Sequence, residues 1–296
     1  MNGLAARLLA RQPHDSERTA GGPALKRVLG LGGLIAVGLG TMLGGIFTTV
    51  GVGTLEAGPG VVAAFLLSGL ACVFVSLCYA ELASMVPIAG SAYTYAYATL
   101  GEFVAWIIGW DLILEYGISV APVAASWSGY AQSFLQNYGI ALPDWAKVAH
   151  LAFARGGIDP AHTQIDLLAV LVVLGITALI AIGIKESASV NTTLVVVQVF
   201  AIVVFVVALA GAVHPSNFSP PFPRGLHGVV SGAALVFFAY IGFDTVTVAS
   251  EEAVRPESDV PFAVIASLAV GAVLYVAIAW VTVGIVPWQH IDADAG

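Results

Sequence analysis

Three carboxylate side chains lie in stretches of sequence that are otherwise apolar. Asp111 and Glu115 are four residues apart in the run Trp110–Tyr116, and Asp244 ends the run Phe237–Asp244. Residues at positions i and i+4 share one face of a helix. A carboxylate inside an apolar helix usually faces water, a cation or a polar partner. These residues therefore either bond a neighbouring helix or recognise a cationic group of a ligand, and their types and spacing leave both roles open.

Glycine is concentrated in the run Gly38–Phe47, which includes Gly40, Gly44 and Gly45. Because a glycine costs about 1 kcal/mol relative to alanine in a helix interior, the run predicts either an interrupted helix or close packing of two helices. An interrupted helix frees amide groups that bind anions such as a carboxylate. The GK[ST] ending of a phosphate-binding loop is absent, so an ATP-driven pump is not supported.

A second interruption is predicted at Phe237–Asp244, where Gly242 and Asp244 stand in an apolar segment. Two broken helices five spans apart are typical of inverted-repeat transporters, which bind substrate near the membrane midplane between the breaks. Amide groups freed at one break would bind a carboxylate, and carbonyl groups freed at the other would bind an ammonium. A zwitterionic amino acid presents both groups.

The composition excludes a soluble globular enzyme. Of the 296 residues, 59% are apolar and 9% are charged, whereas soluble domains carry roughly 25% charged residues. The mean hydropathy is +0.94. A membrane-spanning helix needs about 20 apolar residues, and every span must be helical because an open sheet leaves backbone groups unpaired in lipid. The sequence predicts seven spans, near residues 29–52, 60–85, 103–134, 166–184, 190–213, 228–250 and 262–286.

The third span follows an amphipathic stretch, Ser91–Glu102, and exceeds the usual length. Such length fits a steeply tilted helix, or a span that is continuous with an interfacial one.

Two short ends flank the predicted membrane domain, residues 28–286. Residues 1–27 form a basic tail, and residues 287–296 form a short end that we expect outside the cytoplasm. With the tail inside, the cytoplasmic side holds seven of the ten Lys and Arg residues. This excess favours a cytoplasmic N-terminus. The Ala-, Gly- and Val-rich composition indicates a bacterial inner membrane.

Charge and chemistry-bearing residues exclude several further classes of protein. The net charge is −8, and the basic residues form no cluster beyond the tail, so nucleic-acid binding is not expected. Cys72 and Cys78 match no zinc pattern, and the six histidines lie outside the apolar cores. We therefore expect no metal and no cofactor. No nucleophile with a histidine base is evident at membrane depth, which argues against an intramembrane enzyme.

Several motifs, in order along the chain, resemble the amino acid–polyamine–organocation superfamily. The likeness runs from about residue 26 to residue 286 and is greatest to the cationic amino acid transporter group and its bacterial relatives. Each motif alone is weak, but together they are specific. The motifs are Gly40–Phe47, Ala57–Gly60, Cys78–Leu82, Pro87–Tyr93, Gly109–Glu115, Gly183–Asn191 and Phe237–Asp244.

This resemblance implies a secondary transporter of L-amino acids with a five-plus-five inverted-repeat fold. The chain would contain the first repeat, about residues 28–213, and the start of the second, about residues 226–286. The helices of the second repeat that follow are then expected beyond the chain as given, because members of the superfamily usually have about twelve spans.

The resemblance also implies a substrate site. The backbone of Gly44, Gly45 and Ile46 would bind the α-carboxylate of the substrate. The carbonyl groups of Phe238, Ala239 and Ile241 would bind the α-amine, and Phe238 and Tyr240 would shape or gate the pocket.

Acidic residues are placed beside that site by the same resemblance. Glu115 matches an acidic position near the substrate side chain, where it would favour Arg, Lys or ornithine without excluding a small neutral substrate. Gln198, Asp244 and Asp111 are expected to act in coupling or gating.

Two details depart from the superfamily pattern. The first break usually reads Gly-x-Gly, whereas this chain reads Gly44-Gly45-Ile46, with one residue fewer. Proton-coupled bacterial relatives have a lysine in the fifth span, where this chain has Gln198. Glutamine does not titrate, so exchange or facilitated uniport becomes more plausible than proton coupling.

The leading prediction is therefore secondary active or facilitative transport of L-amino acids, with Arg or Lys as preferred substrates, by alternating access. The alternative is a truncated permease fragment or accessory membrane subunit that does not itself transport. A channel is a further alternative, against which the predicted broken helices argue.

Overall fold

The computed structural model describes residues 27–147, 153–154, 157–158, 164–182 and 184–291. For residues 182 and 184–188, and for the two short strands, it describes the backbone alone. Residues 1–26 of the basic tail and residues 292–296 of the predicted extracytoplasmic end lie outside the described part.

The fold is all-α, as predicted. The α-helices are α1 (Leu31–Met42), α2 (Gly45–Ala57), α3 (Val61–Met85), α4 (Ser91–Thr99), α5 (Glu102–Asn137), α6 (Leu167–Ile182), α7 (Ile184–Ala210), α8 (Gly225–Val236), α9 (Thr245–Val248) and α10 (Pro256–Ile285). Short 3₁₀ helices lie at Gly58–Gly60, Asp144–Ala146, Pro215–Phe218, Phe237–Tyr240, Ala249–Glu252 and Trp288–His290. Two two-residue strands, β1 (Phe153–Ala154) and β2 (Gly157–Ile158), pair antiparallel between α5 and α6.

Within the described residues, five helical stretches are long and apolar enough to cross a membrane. They are Gly45–Met85, Glu102–Asn137, Ser189–Ala210, Gly225–Glu252 and Pro256–Ile285. Two shorter apolar helices, Leu31–Met42 and Leu167–Ala181, lie at the other predicted spans. The first of the five joins α2 to α3, and the backbone leaves the helical conformation between them at Gly58, with φ 61° and ψ −141°. The count of seven spans stays a prediction.

Both predicted interruptions are present. At the first, α1 ends at Met42 and α2 begins at Gly45. At the second, α8 ends at Val236, and a 3₁₀ turn and an irregular segment precede α9. In that segment Ile241 is not helical, with ψ 131°, and Gly242 has φ 110°. A positive φ is accessible to glycine because it has no Cβ, so Gly242 is the residue that lets the second helix break.

Of the two alternatives for the third span, a helix that is continuous with the amphipathic stretch Ser91–Glu102 is wrong. The stretch forms a separate helix, α4, which ends at Thr99, and α5 begins at Glu102. Gly101 between them has φ 100°, a conformation that ends a helix and favours glycine. The great length of the third span is confirmed, because the 36 residues of α5 extend about 54 Å at 1.5 Å per residue.

The core lies where α1, α2, α3, α8 and α10 pack together. The most extensive contacts join α3 to α10, α2 to α8 and α1 to α10. Phe65, Tyr240 and Tyr275 are fully buried there, and their ring centroids are 5.1–6.5 Å apart. Because residues of both broken helices belong to this core, the breaks are surrounded by rigidly packed helices.

The helices α5, α6 and α7 lie at the edge of the described structure. On α5 the buried residues are Ala105, Ala124 and Ser128. The start of α6 is fixed by Asp166, whose Oδ1 accepts hydrogen bonds from the amide of Ala169 at 2.9 Å and from Ser128 Oγ at 2.5 Å. A carboxylate in this position caps a helix N-terminus, and here it also holds α6 to α5.

Candidate functional site

Gly45 is the point at which the two broken helices meet. A Cβ built on Gly45 would lie 2.6 Å from the Cα and 3.2 Å from the carbonyl oxygen of Ala239. Both of these atoms belong to the backbone, so no side-chain rotation could relieve the contact. Glycine permits such an approach of one helix to another. The first and second breaks are therefore in direct backbone contact.

Thr41 joins the same two helices on the other side of the break. Its Oγ1 lies 2.8 Å from the carbonyl oxygen of Gly242 and 3.0 Å from Thr245 Oγ1. A Cβ on Gly242 would come within 2.8 Å of the Thr41 Cβ. Gly242 thus serves two purposes, since it adopts a positive φ and leaves room for Thr41.

The first break is a loss of helical hydrogen bonds without a large change of backbone direction. Leu43 and Gly44 keep near-helical angles, with φ −61° and ψ −21° for Leu43 and φ −64° and ψ −33° for Gly44. In the described part of the chain, no hydrogen bond links the amide of Phe47 to the carbonyl group of Leu43, as a continuous helix would require. The start of α2 thus behaves as a helix N-terminus, with its amides available to a ligand.

At the second break, two of the three carbonyl groups that were expected to bind the substrate amine already accept hydrogen bonds within the protein. The carbonyl oxygen of Ala239 accepts a hydrogen bond from Tyr275 Oη at 2.8 Å. That of Phe238 accepts one from the amide of Ile241 at 3.2 Å. Among the described residues, the carbonyl oxygen of Ile241 accepts no such bond. A carbonyl oxygen has two lone pairs, so all three can accept from a ligand, and that of Ile241 is the least engaged.

A cavity of about 250 Å³ lies between the breaks and α5. Gly45 lines it from the first break, and Phe238 and Ile241 line it from the second. Sequence reasoning had named these three. It had missed the other lining residues, which are Thr41, Tyr116, Ser119, Val120, Val123 and Gly242. The four on α5 follow a spacing of three, one and three residues, which is the spacing of one helix face.

A buried acidic centre lies at one side of this cavity. Asp244 is 5% exposed, and its Oδ2 accepts hydrogen bonds from Ser91 Oγ at 2.9 Å and Tyr116 Oη at 2.7 Å. Ser91 begins α4 with φ 51°, an unusual angle for a residue other than glycine. Asp244 therefore connects the second broken helix to α4 and α5.

The other two acidic residues do not line the cavity. Glu115 is half-buried on α5, next to Tyr116, and Asp111 is exposed one turn away. In the described part of the chain neither carboxylate has a hydrogen bond or an ion pair. The structure therefore brings Asp244 to the wall of the cavity through Tyr116 and leaves Glu115 and Asp111 outside it.

Two further residues predicted for the site lie beside separate cavities. Gln198 on α7 lines a cavity of about 350 Å³ together with Gly44 and Val123. Tyr240 is fully buried and lines a cavity of about 300 Å³ between α3 and α10. Its hydroxyl donates to the carbonyl oxygen of Phe65 at 2.8 Å. The Ile46 side chain is buried in the core, so its backbone alone is available to a ligand.

Comparison with known proteins decides the family. The family described as amino acid permease matches residues 29–296. The chain belongs to this family. The match also places the chain in the amino acid–polyamine–organocation superfamily, as the motifs indicated.

Curated relatives of the chain are named for different substrates. It is 46% identical over 273 residues to the branched-chain amino acid permease BcaP of Bacillus subtilis (strain 168), covering 92% of this chain and 58% of that protein. It is 42% identical to the methylthioribose transporter of the same organism, covering 91% of this chain and 57% of that protein. It is 35% identical to cationic amino acid transporter 9, chloroplastic, of Arabidopsis thaliana, covering 94% of this chain and 49% of that protein.

The chain thus spans about half to three fifths of the length of these relatives. The family match and the five long apolar helical stretches together establish that this is a multi-pass membrane protein. The matching family and all three of these relatives are named as permeases or transporters, so the chain belongs to a family of transporters and not of enzymes.

Proposed function

We propose that the chain carries an L-amino acid across the membrane by alternating access, with the substrate held between the two broken helices. One observation carries this proposal, namely the cavity of about 250 Å³ whose wall combines Gly45 from the first break with Phe238 and Ile241 from the second. Interrupted helices that face each other across a small cavity provide unpaired backbone groups at membrane depth, where side chains of the core are otherwise apolar.

Backbone groups at the breaks would recognise the two ends of the amino acid. The amides of Gly44, Gly45 and Ile46 at the start of α2 would bind the carboxylate, because a helix N-terminus carries partial positive charge and free N–H groups. The carbonyl groups of Phe238, Ala239 and Ile241 would accept from the ammonium. That of Ile241 would contribute most, since the others already accept hydrogen bonds.

The names of two of the three relatives support an amino acid substrate and leave its side chain open, whereas the third relative is named for methylthioribose. One relative is named for branched-chain amino acids and another for cationic amino acids. A cationic preference would depend on Glu115, which lies outside the cavity lining. The same proposal places the chain in the inner membrane of a bacterium with a cytoplasmic N-terminus, as the first repeat and part of the second of a five-plus-five inverted-repeat fold.

We assign gating to the Asp244 centre. Hydrogen bonds from Ser91 and Tyr116 to one carboxylate oxygen hold α4 and α5 against the second broken helix. Helix movements that open the cavity on this side would have to break at least one of these bonds. Asp111, which is exposed and unpaired in the described structure, would take no direct part.

We assign no proton transfer to Gln198, which lines the separate cavity of about 350 Å³ beside Gly44. An amide side chain binds no proton in the physiological range, so a proton gradient would not be coupled through this position. Amino acid exchange or facilitated uniport would then be the mode of transport.

Counterflow in proteoliposomes tests the proposal. The purified 296-residue chain is reconstituted, unlabelled L-amino acid is loaded inside, and labelled amino acid is added outside with and without an imposed pH gradient. We expect accumulation above protein-free liposomes that the pH gradient does not change. Leucine amide, which lacks the carboxylate, and N-acetylleucine, which lacks the ammonium, should fail to compete.

Two outcomes would contradict the proposal. Competition by either blocked analogue would show that the backbone groups at the breaks do not recognise both ends of the substrate. Absence of both exchange and binding, in protein that unfolds cooperatively, would favour the alternative of a non-transporting fragment or accessory subunit.

A further inference from the structure

The chain segment that leads into α1 is paired with the end of the second broken helix. Leu29 and Ala253 form a parallel β-bridge. The amides of Val28 and Leu29 both donate to the carbonyl oxygen of Glu252 at 2.9 Å. The amide of Val254 donates to the carbonyl oxygen of Leu29, also at 2.9 Å. We call these five residues the clamp, and it joins the two broken helices at the ends that lie farthest from their breaks.

The centre of the clamp is buried. Leu29 is 8% exposed and Ala253 is fully buried, and both belong to the hydrophobic core. The side chains of Val28 and Val254, at the edge of the clamp, are 46% and 51% exposed. A buried amide or carbonyl group that loses its partner is not compensated by water. Separation of the two strands at Leu29 is therefore unfavourable.

Contacts between the same two elements continue from the clamp to the breaks. A Cβ on Gly38, in the middle of α1, would lie 2.7 Å from Val246 Cγ2. Thr41, close to the first break, is bonded to Gly242 and Thr245. Because the 12 residues of α1 extend about 18 Å at 1.5 Å per residue, these contacts follow its whole length. The helix α1 and residues 245–252 are thus joined at three levels.

The polar contacts of this pair with its neighbours on α4 and α7 are longer. Asn191 Nδ2 on α7 donates to the carbonyl oxygen of Ala36 on α1 at 3.3 Å. The amide of Ala89, just before α4, donates to Glu251 Oε1 at 3.3 Å. Both distances exceed the usual range of about 2.7–3.2 Å for such bonds. Apart from the Asp244 centre, we expect these side-chain bonds to break more easily than the clamp.

We propose that the clamp makes α1 and residues 245–252 open toward the predicted cytoplasmic side as one unit. The groups that bind the carboxylate of the substrate and those that bind its ammonium would then release it together. Release of one end alone would leave a buried charged group without its partner, which is unfavourable. The inference rests on the proposed alternating access and adds to it which parts move together.

Val254→Pro tests the clamp, because proline has no amide hydrogen. Ala253 has φ −72° and ψ 138°, which is the conformation favoured before proline, so the substitution removes one bond without forcing the preceding residue. We expect amide hydrogen exchange to become about fivefold faster, the effect of one lost backbone hydrogen bond, in both α1 and residues 245–252. Mass spectrometry of the purified 296-residue chain measures this, with the C-terminal half of α10 as the internal reference.

Val254→Ala is the matched control, because it keeps the amide and changes only an exposed side chain. Val28→Pro is a second variant, since it removes a donor from the other strand of the clamp and should give the same pattern as Val254→Pro. Faster exchange that is confined to residues 28–30 and 253–254 would overturn the proposal. So would equal effects of Val254→Pro and Val254→Ala. Because this measurement needs no transport, its outcome is independent of the proposed function.

A covalent lock gives the converse test. Leu29→Cys is combined with Ala253→Cys in a Cys78→Ser background, because neighbouring strands lie about 4.8 Å apart and a disulfide can span that separation. We expect counterflow to be the same after oxidation with copper phenanthroline as after reduction, since the clamp does not open during transport. Exchange that is lost on oxidation and restored by reduction would overturn the proposal. Absence of exchange in both states, with the hydrogen exchange pattern as expected, would contradict the proposed function and leave the clamp in place.

Discussion

Single glycines hold the two broken helices together, and Gly45 is the most constrained of them. A Cβ on Gly45 meets the backbone of Ala239 at 2.6 Å, and overpacking of this kind destabilises a fold by about 1–3 kcal/mol. We therefore expect Gly45→Ala to lower the unfolding temperature in detergent and to abolish substrate binding. Thermal unfolding is followed in a Cys78→Ser background by the reactivity of buried Cys72 with a thiol dye, which measures the first effect.

Gly44→Ala is the control for this prediction. A Cβ on Gly44 would meet Val123 Cγ1 at 3.7 Å, which is an ordinary van der Waals distance. Neither Gly44 nor Gly45 has a positive φ, so the backbone accepts alanine at both positions and the difference between the two variants isolates the contact with Ala239. If Gly45→Ala is as stable as Gly44→Ala, the backbone contact between the breaks does not exist in the membrane protein.

Whole helices are joined by close packing more than by surface charge, as α2 and α8 show. Gly53 on α2 leaves room for Val236, whose Cγ1 would overlap an added Cβ. Val236 is β-branched and has little rotational freedom. The same helices are linked by an ion pair between Arg224 and Glu56 at 2.9 Å, whose side chains are 50% and 41% exposed. Exposed pairs contribute about 0.2–1 kcal/mol, whereas overpacking costs about 1–3 kcal/mol.

Stability measurements should therefore rank these two variants. We expect Gly53→Ala to lower the unfolding temperature markedly and Glu56→Gln to change it little. Adding salt should reduce the small effect of Glu56→Gln, because salt screens exposed charges, and should leave the effect of Gly53→Ala unchanged. A larger loss from Glu56→Gln would mean that the ion pair, and not the glycine contact, fixes α2 against α8.

The position of α4 depends on Asp244 in the second broken helix. Hydrogen bonds to a charged group contribute about 1.5–3 kcal/mol, and each 1.36 kcal/mol corresponds to a factor of ten. Ser91→Ala removes one of the two bonds that Asp244 accepts, so we expect amide hydrogen exchange in α4 to become at least about tenfold faster. Mass spectrometry of peptides that cover residues 91–99 measures this, with α10 as the internal reference.

Asp111→Asn provides the comparison, because Asp111 is exposed and in the described structure its carboxylate has no bonded partner. It should leave the exchange of α4 unchanged. The role of Asp244 in holding α4 would be contradicted if Asp111→Asn made exchange in α4 faster, or if Ser91→Ala left exchange in α4 unchanged.

For the molecule as a whole, the sequence predicts helices and breaks better than it predicts which side chains meet. The glycine run 38–47 and Gly242 located both interruptions, because glycine affects backbone conformation locally. Tyr240 and Phe238 are two residues apart in one 3₁₀ turn, and their sequence gives no sign that one faces α3 and the other the cavity. Likewise, Thr41 was missed because its partners on Gly242 and Thr245 come from a distant helix.

The orientation of the whole molecule is the last expectation that needs an experiment, since the distribution of Lys and Arg alone supports it. Cys78 is first replaced by serine. A single cysteine is then introduced at one of two exposed positions, which are predicted to lie on opposite sides of the membrane. These are Ser216, between α7 and α8, and Glu102, at the start of α5. A membrane-impermeant maleimide should label Ser216→Cys in intact cells, and should label Glu102→Cys only after permeabilisation. The native Cys72 is buried and serves as the unlabelled control.

The labelling pattern separates the possible topologies because the two positions are separated by an odd number of predicted spans, those of α5, α6 and α7. The reverse pattern would place the N-terminus outside and with it invert the side on which Asp244 acts as a gate. Labelling of both cysteines in intact cells would mean that one of these helices does not cross. The helix that does not cross would then be α6. Its apolar part, Leu167–Ala181, is shorter than the five long apolar stretches. At about 1.5 Å per residue, it is also shorter than a bilayer core of about 30 Å.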